Sequence, residues 1–252
     1  MNAGAPAPPA PQHPAAAARA ARVVAISQSN YIPWKGYFDL IRQADEFVLL
    51  DDVQFTRRDW RNRNQIKTPR GREWLTIPVE VKGKFTQAIK DVRIADGAWK
   101  RQHRATITHN YAKAGSFREQ LDLLHELYDE RAEPFLSDVN RRFLARLCDV
   151  LGIRTRITAS MDYALSDGKT ERLLDLCLKL GATEYLSGPA AQDYLDVAAF
   201  ERAGVRVRWM SYRGYPEHRQ LFPPFEHGVS VLDLILNEGA AAARFLNRSE
   251  SA

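Results

Sequence analysis

The sequence predicts an α/β fold with a mostly parallel, Rossmann-like sheet, an inserted β-hairpin and a helical segment. Three observations carry this. Short apolar runs such as Val23-Val24-Ala25-Ile26 and Phe47-Val48-Leu49-Leu50 alternate with stretches of helical periodicity, the pattern of strands buried on both faces by helices. The run from Gly97 to about Gly152 instead carries apolar residues three and four apart with no strand between them. The apolar runs also end in small or acidic polar residues: Ser27-Gln28, Asp51-Asp52, Ser160, Ser187-Gly188 and Ser211-Tyr212. In open α/β sheets ligands bind beyond the carboxyl ends of the strands, so these ends predict the functional edge. Turns are polar in any case, so about half of these positions are expected to be caps and turns only.

In chain order, the Ala/Pro-rich stretch 1–21 lacks a basic segment followed by an apolar one. It reads as a disordered tail and not as a secretory signal. Residues 22–240 read as a single α/β domain, and 241–252 as a frayed tail. Val23–Gln28 is a strand and Gly36–Ala44 a helix with Phe38, Ile41 and Ala44 on one face. Between them Pro33 fixes its own φ and holds Ile32 extended. Glu46–Val53 is a second strand and Gln54–Asn64 a polar loop. Trp74–Val81 and Ile89–Ile94 alternate as an antiparallel pair. Three helices fill 97–152, and Gly152 ends the last of them. Strands at Arg156–Ala159, Glu184–Leu186 and Val205–Met210 then alternate with helices, among them Lys169–Leu180 and a final one at Ser230–Asn237. Ser230 with Asp233 reads as the cap of that helix.

With 252 residues, 45% apolar and 27% charged, the chain is expected to be a globular protein with one sizeable core. It has no apolar stretch near the roughly 20 residues of a membrane span. Net charge +5 favours anionic partners. The two cysteines, Cys148 and Cys177, lie in apolar helical patterns and read as buried free thiols, in keeping with a cytoplasmic location. No metal-ligand spacing, phosphate loop, nucleophile elbow or Ser-His-Asp order is present.

The candidate residues cluster in a few segments. In "SQSNYIPWKGYFDLI" (27–41), Gln28, Asn30, Tyr31, Trp34, Lys35 and Tyr37 suit an anion site with aromatic walls at a helix start. Alternatively Trp34 and Tyr37 are core and Lys35 is solvated. In "LLDDVQFTRRDWRNRNQIKT", Asp51 or Asp52 suits a general base, a ribose ligand or, as a pair, a metal ligand, or is a turn carboxylate. The four arginines of the loop, Arg57, Arg58, Arg61 and Arg63, with Lys67 suit phosphate recognition. Gln54, Asn62 and Asn64 are further substrate-binding candidates, and Trp60 suits stacking on a base or sugar; the other reading is a solvated charge run. His103 is a further candidate base, or a partly exposed helix residue. "LSGPAAQDY" (186–194) adds Ser187, Gln192 and Tyr194, and Gln220, Phe222 and His227 fall in a loop before the last helix.

These segments resemble the WbqC-like family, whose members carry a pattern like His-Gln-Pro-x-Tyr-Leu-Pro-Trp-x-Gly-Tyr-Phe. Leu-Asp-Asp-Val-Gln, Asn-Arg-Asn and a Trp-Leu-Thr-x-Pro-Val strand follow it. Here the matches are 27–38, 50–54, 62–64 and 74–79, with "YLSGPAAQDYL" and "SVLDLILNEG" later, about residues 22–240 in all. The family's His-Gln-Pro is Ser27-Gln28-Ser29 in this chain, so no role of that histidine carries over. The resemblance implies a setting in bacterial O-antigen and other polysaccharide biosynthesis, alongside aminosugar pathways. It implies a transferase that moves an acyl or aminoacyl group to a sugar amine on a nucleotide-sugar or lipid-linked glycan precursor. Acyl-CoA, ATP and aminoacyl-tRNA are the candidate donors. A non-catalytic nucleotide- or glycan-binding accessory protein and a tRNA-dependent aminoacyl transferase are the alternatives, and a homo-oligomer stays open. "PWKGYFDLI" is also similar to the segment where nucleotidylyltransferase-like enzymes keep His-x-Gly-His. Trp34 and Tyr37 occupy those histidine positions, so the fold analogy does not extend to adenylylation histidines.

Overall fold

The computed structural model describes residues 21–246. Five strands form one all-parallel sheet: β1 (Val23–Ser27), β2 (Glu46–Leu49), β5 (Arg156–Ala159), β6 (Glu184–Ser187) and β7 (Arg206–Trp209), in the order β5-β2-β1-β6-β7. Side chains alternate across a strand, and the two cores divide accordingly. Ala25, Phe47, Leu49 and Leu186 face one apolar cluster. There they meet α1 (Lys35–Arg42), α2 (Trp99–Tyr111), α3 (Leu121–Leu127), α4 (Leu136–Val150) and α7 (Val231–Glu238). Val24, Ile26, Val48 and Tyr185 face the other, against α5 (Lys169–Lys179) and α6 (Val197–Arg202). The α/β class, the parallel sheet and the three helices between Gly97 and Gly152 all agree with the sequence expectation. α4 presents Leu136, Val139, Phe143 and Leu147 inward, and Gly152 at φ +68° closes it as the helix-ending glycine.

The strand order reverses between β1 and β6, so the crevice beyond their carboxyl ends is the topological switch point. The chain leaves β2 at Leu49 rather than Val53. Residues 51–55 continue it irregularly, with Lys90 N donating to Asp51 O (2.8 Å) and Ile89 N to Val53 O (3.0 Å). Asp51 is fully buried and accepts from Ser29 N (2.8 Å) and from the Ser137 hydroxyl. It thereby ties the exit of β1 to the start of α4.

Two expectations are corrected. The hairpin is formed by β3 (Arg63–Thr68) and β4 (Gly71–Thr76), not by Trp74–Val81 with Ile89–Ile94. Of the latter pair only a Val79–Ile94 bridge forms, and Ile89–Asp91 is a 3-10 turn. The physical reason is that β3 buries polar groups: Asn64 and Lys67 point into protein and are hydrogen-bonded there. No apolar alternation marks the strand. Ile32 is not extended but sits at φ +35°, for a reason given below.

The proposed tail 1–21 lies outside the described residues except for Ala21, and so do 247–252. Gly239–Leu246 forms a 3-10 helix with Ala242 and Leu246 buried. Both cysteines are free and buried. Among the described residues no helix is long and apolar enough to cross a membrane.

Replacing Asp51 with Ala would strand two donors, each costing about 1–3 kcal/mol when left unmet in the interior. Urea unfolding should show a loss of roughly 2–4 kcal/mol. A loss within 0.5 kcal/mol, the size of an ordinary surface change, would mean that Asp51 is not the tie described.

Candidate active site at the carboxyl edge

The segment leaving β1 is built around a strained residue. Asn64 Nδ2 donates to both the Tyr31 and Ile32 carbonyls (3.1 and 3.0 Å). Its Oδ1 accepts from Gln65 N (2.8 Å). The clamp and the full burial of Ile32 override the preference of the residue before proline. They hold a β-branched residue at positive φ, a conformation that costs about 1–3 kcal/mol and concentrates at functional sites. The consequence is the placement of Trp34. Its ring folds back across the start of α1, where a Cβ on residue 36 would lie 2.3–2.7 Å from three ring carbons. Only glycine at 36 admits this packing.

Trp34 forms one wall of a cleft of about 750 Å3. Tyr212 and Tyr215 meet its ring edge-on, with centroids 5.2 and 5.7 Å away. Trp60 and the amides of Asn30, Asn64 and Gln65 line the side formed by the hairpin and its leading loop. Arg72 and Arg213 bring positive charge and His227 an imidazole, and no carboxylate lines the cleft. Apolar rings, convergent amides and two guanidiniums suit a ligand with flat faces, hydroxyls and negative charge.

The far wall, residues 210–230, has no helix or strand. Polar side chains from the rest of the fold hold it. Lys35 Nζ donates to Pro216 O (2.7 Å) and lies 5.6 Å from the centres of the Tyr215 and Phe225 rings. Lys67 Nζ donates to Pro224 O. The Tyr215 hydroxyl donates to Asp39 (2.6 Å). Asp233, fully buried on α7, accepts from the Tyr111 hydroxyl (2.8 Å) and Gln220 Nε2 (2.7 Å), and has His218 Nε2 at 2.7 Å. The helix cap itself is Ser230, whose Oγ accepts from Leu232 N. Burial pulls Lys35 down to about 8, against the opposing pull of Asp233 and Glu217. Partial burial and the Lys35 charge hold His227 below the ordinary histidine value, with Glu217 opposing. His227 is therefore a neutral imidazole at pH 7.

Asn30, Trp34, Trp60 and Asn64 line the cleft. Tyr31, Lys35, Tyr37 and Lys67 are buried behind its walls, and the Tyr37 hydroxyl donates to Gln28 O (2.7 Å). Arg61 donates to Asn30 Oδ1, fixing that amide. Asn62 bonds Ile77 O (2.9 Å), Arg58 is exposed at φ +58°, and Gln54 bonds Phe85 O (2.9 Å); none of the three lines the cleft. Ser187 is buried at the end of β6 with its Oγ on the Tyr185 hydroxyl (3.2 Å). Gln192 and Tyr194 are exposed outside the cleft, with Lys169 over the Tyr194 ring.

Asp51, Asp52 and His103 lie elsewhere. Asp52 is held by Ser160 Oγ (2.6 Å) and Arg172 (3.0 Å). His103 is buried with its Nδ1 2.8 Å from the Tyr31 hydroxyl, which also bonds that of Tyr128 (2.8 Å). The sequence places Tyr212 at a strand end and His227 in a loop without joining them to Trp34. It gives no sign of Gln65, Arg72, Arg213 or Tyr215; the one available signal is the density of proline and aromatic residues in "GYPEHRQLFPPFEH". Among the described residues no group of three or more His, Cys, Asp or Glu is arranged to hold a metal ion.

Burial pushes His103 down to about 4, against a hydrogen bond with the Thr76 backbone; in the unfolded chain its value is about 6.5. Between these values the unfolded state binds the extra proton. The contribution is thus complete above about pH 6.5 and lost as pH falls through about 4. The urea midpoint should fall faster from pH 7 to 4.5 than that of His103→Gln. Parallel profiles would show that His103 takes up its proton without penalty in the fold.

Comparison with known proteins places this geometry in a family. The WbqC-like protein family matches over residues 28–245. The uncharacterized protein Rv1507c of Mycobacterium tuberculosis is 50% identical over 223 residues, 88% of this chain and 96% of its own length. No solved structure matches. The match runs from the exit of β1 through the last helix and takes in every wall of the cleft: the chain belongs to the WbqC-like protein family.

Proposed function

We propose that the cleft holds an aminosugar on a nucleotide or lipid diphosphate carrier, and that the protein transfers an acyl or aminoacyl group to the sugar amine during assembly of a bacterial surface glycan. The observation that supports this reading most is the lining: four aromatic rings and two arginines with no carboxylate. Arg72 and Arg213 take the diphosphate in fork geometry. Trp34 and Tyr212 pack on the sugar or base, and Asn30 and Gln65 bond hydroxyls.

In the reaction the amine nitrogen attacks the carbonyl carbon of a thioester or ester donor. A C–N bond forms and the C–S or C–O bond breaks. The proton shed by the amine passes to His227 and then to the leaving sulfur or oxygen. The base role that the sequence offers to Asp51, Asp52 or His103 goes in this reading to His227. It lines the cleft, and its neutral imidazole accepts a proton at pH 7.

A thermal-shift panel of UDP- and dTDP-linked aminosugars tests the binding step. A ligand at about 100 times its Kd adds roughly 2.7 kcal/mol, and at this size each kcal/mol is worth about 2–4 °C. A shift of several degrees that Arg72→Gln or Arg213→Gln reduces is the expected result. No shift with any of these, or one that neither substitution alters, contradicts the assignment of the cleft. For the chemical step, His227→Gln should lower kcat by about 100-fold or more with KM little changed, since a positioned general base contributes at least that much. Retained kcat removes His227 from the base role.

A further inference from the structure

Aromatic and basic side chains continue along the hairpin beyond Trp60. The Trp60 ring lies 5.4 Å from that of Trp74, and the Arg63 guanidinium sits over Trp74 at 4.1 Å. Arg63 also donates to Arg58 O, which leads to a second depression of about 320 Å3 lined by Phe55, Arg57, Arg58 and Asn62. A third, of about 360 Å3, shares Phe55 and Arg57 with it and ends at Phe85 and Lys84. The second and third depressions run together as one groove, divided from the cleft by the 58–62 loop, whose Trp60 lines the cleft and whose Arg58 and Asn62 line the groove, and no residue lining any of the three is acidic. Nearby Asp59 and Glu80 are paired with Arg61 and Lys84.

Two features along this surface are left unsatisfied by the fold. Trp60, Trp74 and Phe85 are 42%, 41% and 72% exposed, an arrangement that costs solvation unless something covers them. Phe85 also carries its own cation, Arg57 at 5.4 Å. Asn62 is 6% exposed and donates through Nδ2 to Ile77 O, while its buried Oδ1 has no hydrogen-bond partner. Such an atom in a groove wall is an acceptor waiting for a donor.

We infer that this groove binds the single-stranded end of an RNA, and that the ester at that end is the donor for the transfer in the cleft. Spaced aromatic faces, interleaved guanidiniums and the lack of carboxylates are what bind single strands: bases stack on the rings and phosphates lie on the cations. A nucleotide cofactor has one base to stack, whereas the groove offers three exposed ring steps. Asn62 Oδ1 receives a base amine or a ribose hydroxyl. The donor role rests on the transferase reading above. The sugar amine attacks the ester carbonyl carbon, the C–N bond forms, the C–O bond to the ribose breaks, and the ribose oxygen takes the proton that His227 removed.

The test is equilibrium binding of a 10-nucleotide single-stranded RNA of mixed sequence to the full chain at several salt concentrations, beside inorganic polyphosphate of equal charge and coenzyme A. RNA should bind more tightly than polyphosphate, and its affinity should fall steeply with salt, by about 0.7 log unit per log unit of salt for each phosphate contacted. Trp74→Ala and Phe85→Ala should each weaken it about 5- to 150-fold; both side chains are exposed, so the fold does not depend on them. Equal affinity for polyphosphate, unchanged affinity in both variants, or displacement of RNA by stoichiometric coenzyme A overturns the inference. The aminosugar shift of the unaltered protein is a separate readout. RNA binding that depends on the rings, without that shift, keeps the groove and removes the transfer reaction.

Discussion

Residues 210–230 join the last strand to the last helix without regular structure. That many residues in an irregular path inside a compact domain must find hydrogen-bond partners outside themselves. The constraint is met by buried polar side chains: Lys35 and Lys67 donate to loop carbonyls, Asp39 receives Tyr215, and Asp233 gathers His218 and Gln220. The rest of the site depends on this. A lysine whose charge is held in the interior is pulled toward neutrality, which Lys35 shows. Partial burial first, and then the remaining Lys35 charge, hold the imidazole of His227 below its ordinary value. The loop that forms the cleft wall and the residue suited to move a proton there are products of one set of contacts.

The opposite wall follows the same logic at shorter range. Asn64 stores strain at Ile32 by clamping two successive carbonyls. Trp34 is then laid over Gly36, where any side chain would strike the ring. Asp51 anchors the base of this wall through Ser29, and Asn140 adds bonds to Ser29 Oγ and Arg61 O. Several residues whose chemistry suggests catalysis, Asp51 and His103 among them, have their polar atoms engaged in holding the wall.

The fold class was legible because its signals are local. Val23–Ile26 and Phe47–Leu50 are apolar runs that two layers of helices must cover, and the spacing in α4 needs no partner to be read. The hairpin was not legible because Asn64 and Lys67 are buried on opposite faces of β3, so a buried strand has the composition of a charged loop. Half of the site was legible for a related reason. Asn30, Trp34, Trp60 and Asn64 stand close together in sequence as an improbable mix of rings and amides. Tyr212, Tyr215 and His227 reach them only by closure over most of the chain. The Lys35–Pro216 and Lys67–Pro224 bonds span 181 and 157 residues, and no local pattern records such a pairing.

The central claim is that the cleft between the segment leaving β1, the hairpin and the 210–230 loop receives the ligand. Hydrogen–deuterium exchange with and without a saturating nucleotide-linked aminosugar tests it most directly, because it locates contact without presuming a reaction. Slowed exchange in 30–36, 62–65 and 211–228 together, with the rest of the sheet unchanged, is the predicted result. Protection confined to 68–73 and 105–110, which line a separate depression beside α2, would contradict the account and move the site to the far end of the hairpin.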